Sequence, residues 1–210
     1  LLDRAKNNHG LRIMDMTDPE ILGQEDLSLI ISEDIDQIEW RPVRKLPQIP
    51  VDERVLADAI AELDALIGMD NIKSEIHELV RLVRYHIAKG QHVLNNFYLH
   101  TVFVGNPGTG KTTVARILTK IYKALGILER GHMIETDRQG LVAGFIGQTA
   151  IKTAEKIDEA LGGVLFIDEA YALTTMQGSG GDYGSEAVQT ILKRMEDRRG
   201  EFFVFAAGYP

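Results

Sequence analysis

The stretch GNPGTGKT, residues 105–112, decides how the rest of the chain is read. It fits G-x-x-x-x-G-K-[ST], and each residue type has a physical reason to be there. Gly105, Gly108 and Gly110 let the backbone curl closely enough for its N–H groups to face phosphate oxygens. Lys111 supplies a point charge for the β- and γ-phosphates, and the Thr112 hydroxyl suits Mg²⁺. Asn106, Pro107, Thr109 and Thr113 complete the segment expected to wrap ATP. The flanks agree with this reading. YLHTVFV, residues 98–104, is a β-rich run entering Gly105, and Val114, Ile117, Leu118, Ile121 and Leu125 follow at helical spacing. That helix would add the positive end of its dipole to the site. A Gly-rich turn with no ligand is the bland alternative, and it explains neither flank.

VLFIDE, residues 164–169, supplies the partner motif. An unbroken apolar strand is the kind buried on both faces of a parallel sheet. It would deliver Asp168 to the carboxyl edge, where it can hold the Mg²⁺ shell. Glu169 could orient and deprotonate an attacking water. Alone, an acidic pair after a strand is a weak signal; beside a phosphate loop it gains force. Small GTPases and nucleotide kinases have no obligatory glutamate there, so the pair suggests a hydrolase that couples ATP turnover to work.

Working outward, the patterning begins near Leu56. Leu56, Ile60, Leu63 and Ile67 keep helical spacing until GMD breaks the run, with Asp70 expected as an N-cap. Ile72, Ile76, Leu79, Val83 and Ile87 make a second amphipathic helix. HMIET (132–136) reads as a strand, 149–161 as a helix, Val188, Ile191, Leu192 and Met195 as a helix, and FFVFAA (202–207) as a buried strand. Strands alternating with helices mean an α/β fold with a mostly parallel sheet. Residues 39–55 hold three prolines and no apolar period, a linker composition.

A net charge of −8 argues against a general nucleic-acid binder, which carries a basic face. Arg81, Arg84 and Lys89 make only a solvated helix face. The six histidines form no cluster that would cage a metal. No apolar run approaches the ~20 residues of a membrane span, and the first residues lack the apolar core of a signal peptide. With no cysteine, a reducing, cytoplasmic setting is expected. The chain opens on Leu1 rather than Met and is expected to be a piece of a longer protein.

Taken together, GNPGTGKTTVAR, GFIGQTA, GGVLFIDEAYAL and YGSEAVQTILKRMED resemble an AAA+ ATPase. Within that superfamily they resemble the group of red-type rubisco activase (CbbX/CfxQ), stage V sporulation protein K and the EccA-type ATPases of type VII secretion. LDALIGMDNIKSEIHELVRL resembles the same group's N-terminal helices. The resemblance covers about residues 56–210. It implies a doubly wound sheet, the P-loop large subdomain ending before its helical lid, with ATP and Mg²⁺ as ligands. It also implies a ring, usually a homo-hexamer, that remodels a protein partner by pulling on it. By the same resemblance the backbone around Ile67 and Gly68 lines the adenine pocket; a plain glycine helix stop explains those two residues equally well. GSGGDYGSE, residues 178–186, matches a second flexible loop toward the pore. Residues 1–38 resemble the tail of a preceding lid subdomain, with a disordered leader as the alternative.

AGFIGQT, residues 143–149, sits where AAA+ remodellers carry an aromatic–apolar–Gly triplet that grips polypeptide in the central channel. Phe145, Ile146 and Gly147 occupy those positions. The competing reading is that Phe145 packs under its own loop, as most aromatics do. One departure stands out. The fourth strand ends FAAGYP, with Gly208 and Tyr209 where many relatives place an asparagine, so no polar γ-phosphate sensor is assigned. The arginine finger, fifth strand and lid would lie past Pro210, leaving an apolar strand edge and weak ATP hydrolysis by residues 1–210 alone. Two rival functions remain open. A nucleotide-dependent assembly or scaffold module would bind ATP with little hydrolysis. A small-molecule kinase would need a basic lid, and no such arginine cluster is visible.

Overall fold

Alternation along two strands organises the core. β3 (Val164–Ile167) is buried at every position, and β4 (Phe203–Gly208) at most of them. Successive side chains on a strand point to opposite faces. Val164 and Phe166 of β3, with Phe203, Phe205 and Ala207 of β4, therefore join one apolar cluster. Leu165 and Ile167, with Val204, join another. The computed structural model describes residues 49–90, 93, 99–145, 147–174 and 183–209. The expected lid tail at 1–38, most of the 39–55 linker, Ile146 and much of the glycine-rich 178–186 loop lie outside them.

Helices cover both faces. The first cluster is built by α1 (Glu53–Asp64), α2 (Asp70–Ala88) and α3 (Lys111–Ala124). The second is built by the short α4 (Arg138–Leu141), α5 (Gln148–Glu159) and α6 (Tyr183–Asp197). Between them lies a parallel sheet of order β1-β4-β3-β2, with β1 at Thr101–Val104 and β2 at Met133–Thr136. This is the parallel α/β architecture that the alternating pattern implies, and the doubly wound sheet that the family resemblance implies. Among the described strands β1 lies at the edge, and its Val102 and Val104 are largely exposed.

Two helix starts differ from the sequence expectation. α1 begins at Glu53, inside the stretch of linker composition, because the Asp52 carboxylate accepts the Val55 N–H at 3.0 Å and caps it. The Asp52 N–H in turn donates to the Ala124 carbonyl at 2.8 Å, fastening this entry to the end of α3. Asp70 is the first residue of α2 rather than its cap; Met69 holds the cap position in the left-handed region, at φ 60°. From the first turn Asp70 still favours the helix dipole.

His100 connects the strands in an unusual way. Its Nδ1 accepts the Val204 N–H at 3.0 Å, and its ring meets Phe203 edge-on. Burial, with the Arg199 charge second, lowers its pKa from the ordinary 6.5. A protonated Nδ1 would be a donor facing a donor, so the fold binds that proton less well than the unfolded chain. Stability is therefore fully present above pH 6.5, falls as the pH drops below it, and levels off below the lowered native value. Melting curves between pH 8 and 5 should show this loss. His100→Asn, whose side-chain oxygen can still accept, should flatten the profile. At pH 8 it should cost no more than the net value of one hydrogen bond, about 1 kcal/mol. An unchanged pH profile in the variant would assign the effect elsewhere.

Candidate functional site

The strand register brings the chemistry to one edge. Val104 pairs with Gly208, Ile167 with Ala206, and Thr136 with Ile167, so all four strands end together. The Gly105 N–H donates to the Gly208 carbonyl at 3.2 Å and the Asp168 N–H to the Thr136 carbonyl at 2.8 Å. These bonds carry the ladder past the strands and set the 105–112 loop, Asp168, Glu169 and Tyr209 at the same carboxyl edge. In open α/β sheets that edge is where ligands bind.

The loop's own sequence shapes it. Gly108 and Gly110 lie at φ 74° and 84°, which L side chains rarely adopt. At Gly110 a Cβ would also press within 3.1 Å of the Met69 methyl. Thr109 closes the turn, its hydroxyl donating to the Asn106 carbonyl at 2.8 Å; Asn106 and Pro107 are exposed. α3 starts at Lys111, so the N–H groups of Lys111, Thr112 and Thr113 have no acceptor within the helix. Lys111 Nζ donates to the carbonyls of Gly105 at 2.7 Å and Asn106 at 3.0 Å, and lies 5.0 Å from the Tyr209 ring centroid. A left-handed glycine turn, free helix-start donors and one lysine form a donor set matched to phosphate. The hard oxygens of Thr112 and Asp168 suit Mg²⁺.

On the acidic side, Asp168 and Glu169 are both exposed after the buried β3. Asp168 Oδ1 accepts the Glu169 N–H at 3.0 Å. Glu169 is left-handed, at φ 49°, and its Oε1 accepts the Tyr209 hydroxyl at 3.1 Å. Among the described residues, Met69 and Glu169 are the non-glycine residues with positive φ. One belongs to the turn touching the loop and the other to the acidic pair. Such strain costs on the order of 1–3 kcal/mol and gathers at functional sites.

The remaining expected residues are less uniformly placed. Gly68, at φ 72°, lies in the turn between α1 and α2. Lys73 Nζ braces that turn through the carbonyls of Asp64 and Leu66, and His77 contacts Asp64 at 2.9 Å. Ile67 is 96% exposed, so its side chain encloses nothing; Met69 reaches the loop instead. Phe145 is 72% exposed and is not packed beneath its own loop. The stems of that loop are pinned by side chains. The Ala143 N–H donates to the buried Thr149 hydroxyl at 3.1 Å, and the buried Thr153 donates to the Leu141 carbonyl at 3.1 Å. Lys152 Nζ donates to the carbonyls of Gln139 and Val142. Gly147, at φ 78°, forms the turn into α5.

Sequence reasoning gave no role to three residues here: Met69, Tyr209 and Arg138. Arg138 Nη1 donates to the Ala172 carbonyl at 2.6 Å, tying α4 to the 3-10 turn Ala170–Leu173 that follows the acidic pair. Gly184 packs so closely here that a Cβ would lie 2.0 Å from the Leu173 carbonyl oxygen. The Asp137–Arg138 dipeptide belongs to no motif read from the sequence.

Comparison with known proteins identifies the chain's relatives. The family model for ATPases associated with various cellular activities matches residues 101–210. The ESX-1 secretion system protein EccA1 of Mycobacterium tuberculosis is 44% identical over 174 residues, which is 81% of this chain and 30% of that protein. Stage V sporulation protein K of Bacillus subtilis is 43% identical over 157 residues, covering 74% of this chain and 48% of that protein. The ESX-3 secretion system protein EccA3 of M. tuberculosis is 43% identical over 157 residues, 74% of this chain and 25% of that protein. The chain thus spans less than half the length of each of these relatives.

Proposed function

Because the chain belongs to the family of ATPases associated with various cellular activities, we propose that it hydrolyses ATP and uses the energy to pull on a protein partner. The observation that carries this reading is the meeting of Lys111, Asp168 and Glu169 at one sheet edge. The N–H groups of the 105–113 segment and the Lys111 ammonium bind the phosphates. Thr112 and Asp168 hold Mg²⁺, which when bound neutralises charge on the phosphate oxygens. Glu169 orients a water and takes its proton. The water oxygen bonds to the γ-phosphorus, the bond to the bridging oxygen breaks, and ADP and inorganic phosphate leave. Gly68 and the left-handed Met69 bring the α1–α2 turn to the loop, which supports the adenine assignment for that turn's backbone, Ile67 included.

The pulling end is Phe145, Ile146 and Gly147. A large apolar side chain is expensive to leave in water, and here the stems that display it are fastened by Thr149, Lys152 and Thr153. In a ring of the intact protein, a homo-hexamer acting in the cytoplasm, these tips line the channel that takes a polypeptide. The names of the EccA proteins and of the sporulation protein point to secretion and sporulation machinery as settings for such a partner. No described helix is long and apolar enough to cross a membrane.

Phe145→Ala tests the grip. It should leave ATP affinity within twofold and the melting temperature unchanged. ATP-dependent capture of fluorescein-labelled casein, a permanently unfolded chain, should fall at least tenfold. If the variant mainly lowers the melting temperature, or captures casein as the parent does, Phe145 is not the gripping residue.

A further inference from the structure

One side chain touches both halves of the site. Tyr209 follows the last residue of β4, where the Gly105–Gly208 bond fixes its position relative to the phosphate loop. Its hydroxyl donates to Glu169 Oε1 at 3.1 Å, while its ring face lies 5.0 Å below the Lys111 ammonium. The Tyr171 ring, 5.5 Å away and tilted by 43°, backs it from the side of the 3-10 turn. Lys111 and Glu169 belong to separate sequence motifs, yet here a single phenol spans them.

We propose that Tyr209 is a positioning residue for ATP hydrolysis, linking the phosphate-binding Lys111 to the water-activating Glu169. This rests on the reading of Glu169 as the base. Two physical effects make the link. A phenol donating to one carboxylate oxygen fixes the plane of that carboxylate and leaves the other oxygen to meet a water. Its hydrogen bond to Glu169 also holds the Tyr209 phenol above its ordinary pKa, so it stays a donor at working pH. The ring, meanwhile, gives Lys111 a partner that phosphate oxygens must replace. Phosphate arrival draws the ammonium away from the ring, and the change is felt by the hydroxyl on the same rigid side chain. FAAGYP, where no polar γ-phosphate sensor is assigned, thus carries a hydroxyl, one residue past the strand, that contacts Glu169.

Two variants and one cycle test the proposal on the intact protein. Tyr209→Phe keeps the ring and removes the hydroxyl; kcat should fall about tenfold or more while KM for ATP stays within twofold. Tyr209→Leu removes the ring as well. Fluorescent ADP should then bind about two- to fivefold tighter, the equivalent of a competing cation–π contact of about 0.5–1 kcal/mol. Tyr209 is 40% exposed at a strand end, so neither change threatens the core. Combining Tyr209→Phe with Glu169→Gln should slow turnover no further than Glu169→Gln alone. Parental kcat in Tyr209→Phe, unchanged or weaker ADP binding in Tyr209→Leu, or additive losses in the cycle would each overturn the proposal. Glu169→Gln with parental turnover is a different failure: it removes the base assignment. A Tyr209→Phe loss beside it would show that the hydroxyl does not act through Glu169.

Discussion

Lys111→Ala should weaken ATP and ADP binding at least 100-fold while leaving the fold intact. The magnitude follows from what the ammonium does. Here it rests on two loop carbonyls and the face of Tyr209, all partners it can exchange. Against phosphate it forms charge-assisted hydrogen bonds, each worth about 1.5–3 kcal/mol, and a hundredfold loss is about 2.7 kcal/mol. Removing it also takes away the one side-chain cation that the 105–112 loop itself offers to phosphate. Stability should hold because Lys111 is the first residue of α3 and only partly buried, and alanine is the best helix former. Titration with a fluorescent ATP analogue and a melting curve check both halves. Binding within tenfold of the parent would mean that the loop is not the phosphate site.

Much of the fold was legible because burial imposes periods. The all-apolar Val164–Ile167 had to be a strand covered on both faces, and it splits its residues between two clusters. The helix over 111–124 followed from 3.6-residue spacing, and the one expected over 149–161 runs 148–159. The resemblance around AGFIGQT, rather than any local pattern, implied an exposed aromatic at Phe145, and the ring is exposed. What stayed hidden has a common cause. Met69 and Glu169 adopt left-handed backbone that no L side chain advertises. Tyr209 meets Glu169 across forty positions of sequence, through a register that only strand pairing sets. A search for an amide at the end of the fourth strand passed over a phenol that could donate from the next residue. The four-residue α4 is too short to show a period, so Arg138 gave no sign of its reach to Ala172.

Glu169→Gln separates binding from chemistry. Glutamine keeps the length of the side chain, and its carbonyl oxygen can still accept the Tyr209 hydroxyl, so the site should keep its shape. It cannot take a proton at neutral pH. General-base catalysis contributes on the order of 10²–10⁴ in rate, and turnover should fall by that range. ATP affinity should be unchanged or higher, since Lys111, Thr112 and Asp168 are untouched. ATP should then persist on the protein and favour the assembled ring. The decisive measurement is phosphate release by the Glu169→Gln intact protein, made beside a titration of fluorescent ATP on the same sample. The expected result is parental or tighter binding with hydrolysis at least 100-fold slower. Parental binding with parental phosphate release would contradict the assignment of Glu169 as the base.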